Sequence, residues 1–408
     1  MKKAMIVSFF KSNNLGDLAL SHSIEQIITN QGYSIEKIDF PTVSFIENSF
    51  TMLNHDLIIE KKNIDKSKKK ILQKKIKQSI KAIIGESQIK YILYIVSKLK
   101  NTFKWNIFKK KMRDNDILVI GGGNMIMDTI NTWPDIFHTY CKIAKKLDKE
   151  VYILYVGAGP VNNDKSKKIY KETFKYAEKI SVRDPLSKKV CENIAEKKIS
   201  IVETIDPVFS ILINSYEQRM STLNELKKTL EFKIGICIIG KECFNTKNDY
   251  DKYLLVLKKM LNCLVLKSSG TINFVLFSTE ALDYIAINEF YSMVNNYRNI
   301  SIVEVEKIND VIDLYENLHY LIGGRMHSLI FAQKCLLPFL GIVWQDKING
   351  FGQVTNSSNR IFEVSLLYKS IETVADDILG MMINPKVIIN MNETNKALLD
   401  LVELGSIS

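Results

Sequence analysis

The chain has 408 residues, more than one hydrophobic core usually organises, and at roughly 100–200 residues per domain the length points to two or three. Hydrophobic residues make up 46% and charged residues 25%, which excludes a disordered chain, and no window approaches the ~20 apolar residues of a membrane span. The net charge of +11 is concentrated: residues 61–113 hold 18 Lys and Arg against Asp65 and Glu86, a local +16 that leaves the remainder at −5. A general nucleic-acid-binding protein would instead carry a basic groove with base-reading or aromatic motifs, so that class is excluded and no nucleic-acid partner is expected.

Residues 4–10 form an apolar run behind Lys2 and Lys3. Lys11 cuts it short and no small-residue cleavage site follows, so a buried first strand is expected rather than a signal peptide. Further strands are expected at 34–40, 117–120, 151–156, 180–182 and 200–203, alternating with helical stretches as in parallel-sheet α/β domains. Between the second and third strands lies the basic segment. Ile71, Leu72, Ile76, Ile80, Ile83 and Ile84 fall at helical spacing, Gly85 interrupts, and Ile89, Ile92, Leu93, Val96 and Leu99 resume it before Phe103, Trp105 and Phe108. This reads as a basic amphipathic helical hairpin or pair, whose stripe either covers the domain or meets an anionic membrane surface.

Asp206-Pro207 and the polar stretch 214–232 mark the domain junction. The pattern restarts with strands at 233–239, 271–277, 301–305, 320–322 and 339–343. The reading is therefore α/β, two doubly wound Rossmann-like domains facing a cleft: 1–213, with a basic insertion at 61–113; 214–385; and a tail or helix over 386–408. The six cysteines are scattered, with no C-x-x-C pair and no His at ligand spacing, so free thiols in the cytoplasm and no metal site are expected.

Ligands in such sheets bind beyond the carboxyl ends of the strands, and the chemistry-bearing residues collect there. The first strand runs into Asn14-Leu15-Gly16-Asp17, where Asp17 is either a helix N-cap or a base held at the sheet edge. Gly121-Gly122-Gly123-Asn124 ends the third strand, and Gly157-Ala158-Gly159-Pro160 the fourth. Both serve either as tight turns or as places where backbone approaches a ligand. Neither is a dinucleotide fingerprint or a P-loop. Arg183 ends the fifth strand, placed to clamp a carboxylate or phosphate, and Asp184 caps a helix with Pro185 at its first position. Gly323-Gly324-Arg325-Met326-His327-Ser328 opens an apolar helix, with Arg325 and His327 one alternation apart at an anion-favouring helix start. Lys347, after Val343-Trp344-Gln345-Asp346, is either a surface residue or a further cation on the cleft rim.

The ordered set Asn14-Leu15-Gly16-Asp17, the triple glycine, Gly157-Ala158-Gly159-Pro160, Val182-Arg183-Asp184, Asp206-Pro207 and Gly324-Arg325-Met326-His327 resembles the polysaccharide pyruvyl transferase family. The resemblance spans the chain except the basic insertion and the C-terminal tail. It implies a GT-B-like architecture and transfer of a pyruvyl group from phosphoenolpyruvate to sugar hydroxyls of a cell-surface glycan or its lipid-linked precursor. No cofactor besides that donor is implied. Carried over, it makes His327 and Asp17 catalytic. Arg183, Arg325, Asn14, Gly16, Gly122, Gly123, Asn124, Gly157, Gly159, Ser328 and Lys347 become substrate-binding. The family's Tyr-Asp-x-Lys is here Trp344-Gln345-Asp346-Lys347, so the Lys is kept and the acid falls one place late. The competing reading on the same architecture is a sugar-nucleotide glycosyltransferase, and no Asp-x-Asp at a strand end supports it. A non-enzymatic reading, a membrane-surface protein built on the basic segment, conflicts with the presence of Arg183, Arg325 and His327 together.

Overall fold

The computed structural model describes residues 1–46, 102–196, 199–211, 216–229, 231–268 and 270–407. The first domain runs β1 (Lys2–Ser8), α1 (Leu15–Asn30), β2 (Tyr33–Asp39), β3 (Ser44–Ile46), α2 (helical over 102–113), β4 (Ile117–Gly121) and β5 (Asn124–Ile126). It continues with α3 (Trp133–Lys146), β6 (Glu150–Ala158), α4 (Asp164–Phe174), β7 (Lys179–Val182), α5 (Pro185–Ala195) and β8 (Ile201–Glu203). A 3-10 turn, Pro207–Ser210, leads to α6 (Tyr216–Thr229). The second domain follows as β9 (Glu231–Cys237), α7 (Lys247–Lys267), β10 (Thr271–Phe277), α8 (Tyr284–Val294), β11 (Ile300–Ile302), α9 (Ile308–Glu316) and β12 (Tyr320–Gly323). Then come α10 (Met326–Lys334), β13 (Phe339–Val343), α11 (Asp346–Val354), β14 (Ile361–Glu363), α12 (Val364–Lys369), α13 (Ile371–Met382) and α14 (Pro385–Leu404).

The first sheet has the order β3-β2-β1-β4-β6-β7-β8, with β5 paired to β6; only the β2–β3 pair is antiparallel. The second sheet is parallel throughout, in the order β11-β10-β9-β12-β13-β14. Each order reverses beside the first strand of its domain, between β1 and β4 and between β9 and β12, and at that reversal helices leave on opposite faces and open a crevice. The central strands are apolar along their length because both faces are covered: Ala4–Val7 and Leu118–Ile120 are fully buried.

The predicted strands all form, within two residues at most edges, and 301–305 stops at Ile302. The first strand ends at Ser8 rather than residue 10, freeing Phe9–Ser12 as a loop. Three three-residue strands, β3, β5 and β14, were not expected, because each is too short to show alternation. The polar stretch at the junction is largely α6. It buries Arg219, whose guanidinium donates to the carbonyls of Tyr315, Leu318 and Cys335. Helix α14 ties the two domains together. Val402 and Gly405 carbonyls accept from Tyr155 and Ser181 of the first domain at 2.8 and 2.9 Å, while Asn395 accepts from Gln333 of the second at 3.1 Å.

Most of the basic segment, 61–101, lies outside the described residues. Its end, α2, belongs to the first domain's core. Phe108 and Met112 are fully buried, and the Trp105 ring stacks edge-on against Tyr140 at 4.8 Å; Phe103 alone of the three aromatics is exposed. Trp105 and Phe108 are therefore packing residues, not free anchors. No helix among the described residues is long and apolar enough to cross a membrane, and the six cysteines are free thiols.

Candidate functional site

The two sheet edges meet where α1 begins. Asn14 is the helix cap, its Oδ1 accepting from Gly16 N at 2.8 Å and Asp17 N at 3.4 Å. Its side chain is thereby committed to the backbone, and Asp17, the alternative cap, sits in the first turn. The Asp17 carboxylate accepts from the Ser12 hydroxyl at 3.2 Å. Leu15 N donates to Thr279 O at 3.0 Å, and Asn14 bridges Glu280, so the second domain rests on this same turn.

Two glycines make the convergence sterically possible. A Cβ on Gly123, which has φ +74°, would lie 2.4 Å from the Phe9 ring and 3.6 Å from Asp17 Oδ1. A Cβ on Gly16 would lie 1.9 Å from His327 Nδ1. The imidazole of the second domain is thus laid directly on the backbone of the first. Gly157 lets Asn124 and Arg183 come close, since a Cβ there would lie 3.0 Å from Asn124 Oδ1 and 3.3 Å from Arg183 Nε, while Asn124 Nδ2 donates to Gly159 O at 2.8 Å. Gly122 and Gly159 have φ of +79° and +101° and shape the turns.

Arg183, at the end of β7, donates Nη1 to Asp206 Oδ2 at 3.0 Å. The same oxygen lies 3.6 Å from His327 Nε2, beyond hydrogen-bond length. His327 Nε2 and Arg183 Nε are buried and have no hydrogen-bond partner among the described residues. Burial by itself works to raise the pKa of Asp206, yet the His327 ring, the Arg183 charge and the Val208 amide together hold the carboxyl below its ordinary value. Asp206 is therefore an anion between two groups that favour its charge.

Arg325 caps α10 and is gripped by a second buried carboxylate. Nε and Nη2 donate to Asp283 at 2.8 and 2.6 Å, a bidentate fork. Asp283 also accepts from Gly240 N and the Ser278 hydroxyl, both at 2.8 Å, so it is fully satisfied and fixed. Burial disfavours the Arg325 charge, but the two Asp283 hydrogen bonds and its negative charge outweigh it and raise the pKa. The Trp344 ring lies under both remaining cationic heads, 5.7 Å from the Arg325 guanidinium and 5.6 Å from Lys347 Nζ, and its indole N–H donates to Gly324 O at 2.7 Å.

Lys347, in the first turn of α11, has no hydrogen bond or ion pair among the described residues. Burial first, then repulsion from Arg183 and Arg325, push its pKa down to about 8, with Asp17 opposing. Those interactions place Asp17, Arg183 and Arg325 within electrostatic reach of Lys347 across the cleft. Ser328 is not among them: fully buried, its hydroxyl donates to Arg325 O at 2.6 Å and holds the turn. Asp206 and Asp283 join the site only through the folded structure. In the sequence Asp206 marks the domain junction and belongs to the ordered motif set, and Asp283, which ends the 3-10 turn Ala281–Asp283 after β10, carries no motif. Among the described residues no group of three His, Cys, Asp or Glu side chains is placed to hold a metal.

Two α/β domains with largely parallel sheets, closing on a cleft rich in cations, form a GT-B-like architecture. The family profile described as polysaccharide pyruvyl transferase matches residues 14–346, and the chain belongs to that family. No curated protein matches by sequence. Among solved structures, the fold is similar to Anabaena HepE, crystallised with UDP and glucose, at 8% identity and TM-score 0.54, covering 99% of this chain and 97% of that one. It is also similar to UDP-GlcNAc 2-epimerase from Methanocaldococcus jannaschii, at 10% identity and TM-score 0.51 over 94% and 93% of the two chains. Sucrose-phosphate synthase from Thermosynechococcus elongatus stands at 8% identity and TM-score 0.50 over 98% and 95%. At such identities the likeness concerns the fold alone.

Proposed function

We propose that this transferase moves a pyruvyl group from phosphoenolpyruvate onto two hydroxyls of a cell-surface or capsular glycan, or its lipid-linked precursor, as a cyclic ketal. The observation that carries the reading is the cation cluster. Burial, with repulsion from Arg183 and Arg325 added to it, depresses the Lys347 pKa to about 8, and a small polyanion relieves that repulsion. Phosphoenolpyruvate carries a carboxylate and a phosphate on a three-carbon frame, which suits two planar guanidinium forks and a point charge.

In this scheme each arginine is aimed by its own buried carboxylate, Arg183 by Asp206 and Arg325 by Asp283. His327 gives a proton to the methylene carbon, leaving an oxocarbenium-like centre at the carbon that bears phosphate. One sugar hydroxyl adds there and passes its proton to Asp17. The second hydroxyl then displaces phosphate, which departs with the remaining proton. Every step is a proton transfer or a carbon–oxygen exchange, so the scheme calls on no cofactor. Asp206, 3.6 Å from His327 Nε2, supports the ring as proton donor, and the ring is seated on the Gly16 backbone. The basic segment would bring the enzyme to an anionic membrane face, where a lipid-linked acceptor resides.

The test is donor-dependent thermal stabilisation, since a ligand that binds only the folded state raises the melting temperature by mass action. Phosphoenolpyruvate is expected to raise it and UDP-sugars to leave it unchanged. The opposite pattern would overturn the reading in favour of sugar-nucleotide transfer on the same architecture.

A further inference from the structure

At the far end of α10 from Arg325 and His327 lies a second concavity of about 520 Å³, between the end of α11, the 3-10 turn Ser358–Arg360 and the flank of α14. Gln333 forms part of its lining, eight residues along α10 from Arg325, which puts the two sites about 12 Å apart along the helix axis. The concavity is thus separate from the catalytic cleft while resting on the same rigid element.

Arg360 is the telling residue. Its Nε is buried without a partner, and no hydrogen bond or ion pair to its side chain exists among the described residues. The guanidinium lies over the Phe339 ring at 5.9 Å. Burial lowers its pKa. A half-buried cation whose Nε is shut off from water and left without an anion is costly, and such a group calls for an explanation. Among the described residues, the other partnerless buried nitrogens of cationic or imidazole side chains, Arg183 Nε and His327 Nε2, both belong to the cleft described above.

The remaining lining identifies the missing partner. Asn356, Asn359 and Asn390 present amides that no described side chain engages, whereas the hydroxyls of Thr355 and Ser357 satisfy each other at 2.6 Å. Arg360 is the one cation of the lining, beside one acid, Glu393, so a ligand of low charge, a single carboxylate, fits better than a diphosphate. Free amides beside it supply paired donors and acceptors for ring hydroxyls, and the volume lies within the usual range of small-molecule sites. We propose that this concavity is a second saccharide subsite, taking a sugar unit that carries a carboxylate, with Arg360 on the carboxylate and the three asparagines on the hydroxyls. Two sources share that chemistry: a pyruvyl ketal already installed on the glycan, and a uronic acid of the acceptor. That the sugar belongs to the enzyme's own glycan rests on the proposed function; the subsite itself does not.

The experiment is ligand-observed NMR and calorimetry on the full chain, with phosphoenolpyruvate saturating the cleft. The probes are a methyl hexoside carrying a 4,6-pyruvyl ketal, methyl glucuronoside and neutral methyl galactoside. At least one acidic probe is expected to bind at least about tenfold more tightly than the neutral one, and Arg360→Gln to remove that preference. Which acid binds identifies the source. Asn359→Ala with Asn390→Ala, which leaves Arg360 on Phe339, is expected to weaken the acidic probe severalfold and decides the matter if the arginine variant fails to fold. Equal binding of acidic and neutral probes, or unchanged acidic binding in the variants, would overturn the proposal. Phosphoenolpyruvate binding is measured on the same samples by thermal shift. Its absence alongside retained acidic-sugar binding would remove the donor reading and leave the subsite standing.

Discussion

Replacing Gly16 by alanine isolates the contact on which the site depends. A Cβ there would stand 1.9 Å from His327 Nδ1 and 2.3 Å from its Cγ, against the 3.4 Å at which ordinary contact begins. Either the ring or the whole second domain must therefore back away by about 1.5 Å, and a displacement of about 1 Å at reacting groups can cost about 100-fold. The helix itself is not harmed, because alanine is favoured over glycine inside a helix by up to about 1 kcal/mol. We expect Gly16→Ala to lower kcat/KM at least about 100-fold in an assay of acceptor-dependent phosphate release from phosphoenolpyruvate. The melting temperature should change little. Activity within about twofold of the native enzyme would refute the claim that His327 works from this position, because the clash admits no tolerant arrangement with the ring in place.

Arg325→Lys is expected to lose most activity with a raised KM for the donor, since an ammonium cannot take both Asp283 oxygens and a donor carboxylate at once; full activity would take Arg325 out of the clamp. His327→Gln should still bind phosphoenolpyruvate but turn over at least about 100-fold more slowly, and a loss of binding with unchanged turnover of bound donor would make it a binding residue. Lys347 is charged below a pH of about 8 and neutral above it, so kcat/KM for the donor should fall as pH rises through that value. Lys347→Arg, which stays charged, should remove that limb, and a limb unchanged in the variant assigns it elsewhere. Changing Lys68, Lys69, Lys70, Lys74 and Lys75 to Gln should abolish sedimentation with anionic vesicles and spare activity on a soluble acceptor; equal native binding to neutral vesicles would sink the electrostatic account.

The fold was legible because its strands are buried on both faces. Continuous runs such as Ala4–Val7 and Phe339–Val343 stand out from the polar helices between them, and their spacing dictates two parallel sheets. What escaped was decided by tertiary contact. β5 exists because Asn124 and Ile126 pair with the end of β6, and nothing in three residues announces that. Arg183, Arg325, His327 and Asp17 were legible as sheet-edge residues, since glycines and helix starts surround them. Their partners were not. Asp206 and Asp283 gain meaning only when the chain brings them under guanidinium groups 23 and 42 residues away. Asn14 read as a ligand group and proved to be the cap of α1, and Ser328 likewise serves the backbone. The sequence left Trp105 either packing on the domain or meeting a membrane, and it is packed on Tyr140, because spacing reveals which residues share a helix face but not what that face meets.

The central claim is that the cleft transfers the three carbons of phosphoenolpyruvate to a glycan. The enzyme is to be incubated with phosphoenolpyruvate labelled at all three carbons and with surface glycan from a strain lacking the protein, and the glycan then examined by mass spectrometry. The account predicts labelled ketal in the glycan and one inorganic phosphate released for each group transferred, both abolished by Arg325→Lys. An unlabelled glycan that instead acquires sugar when UDP-sugars are supplied would contradict it.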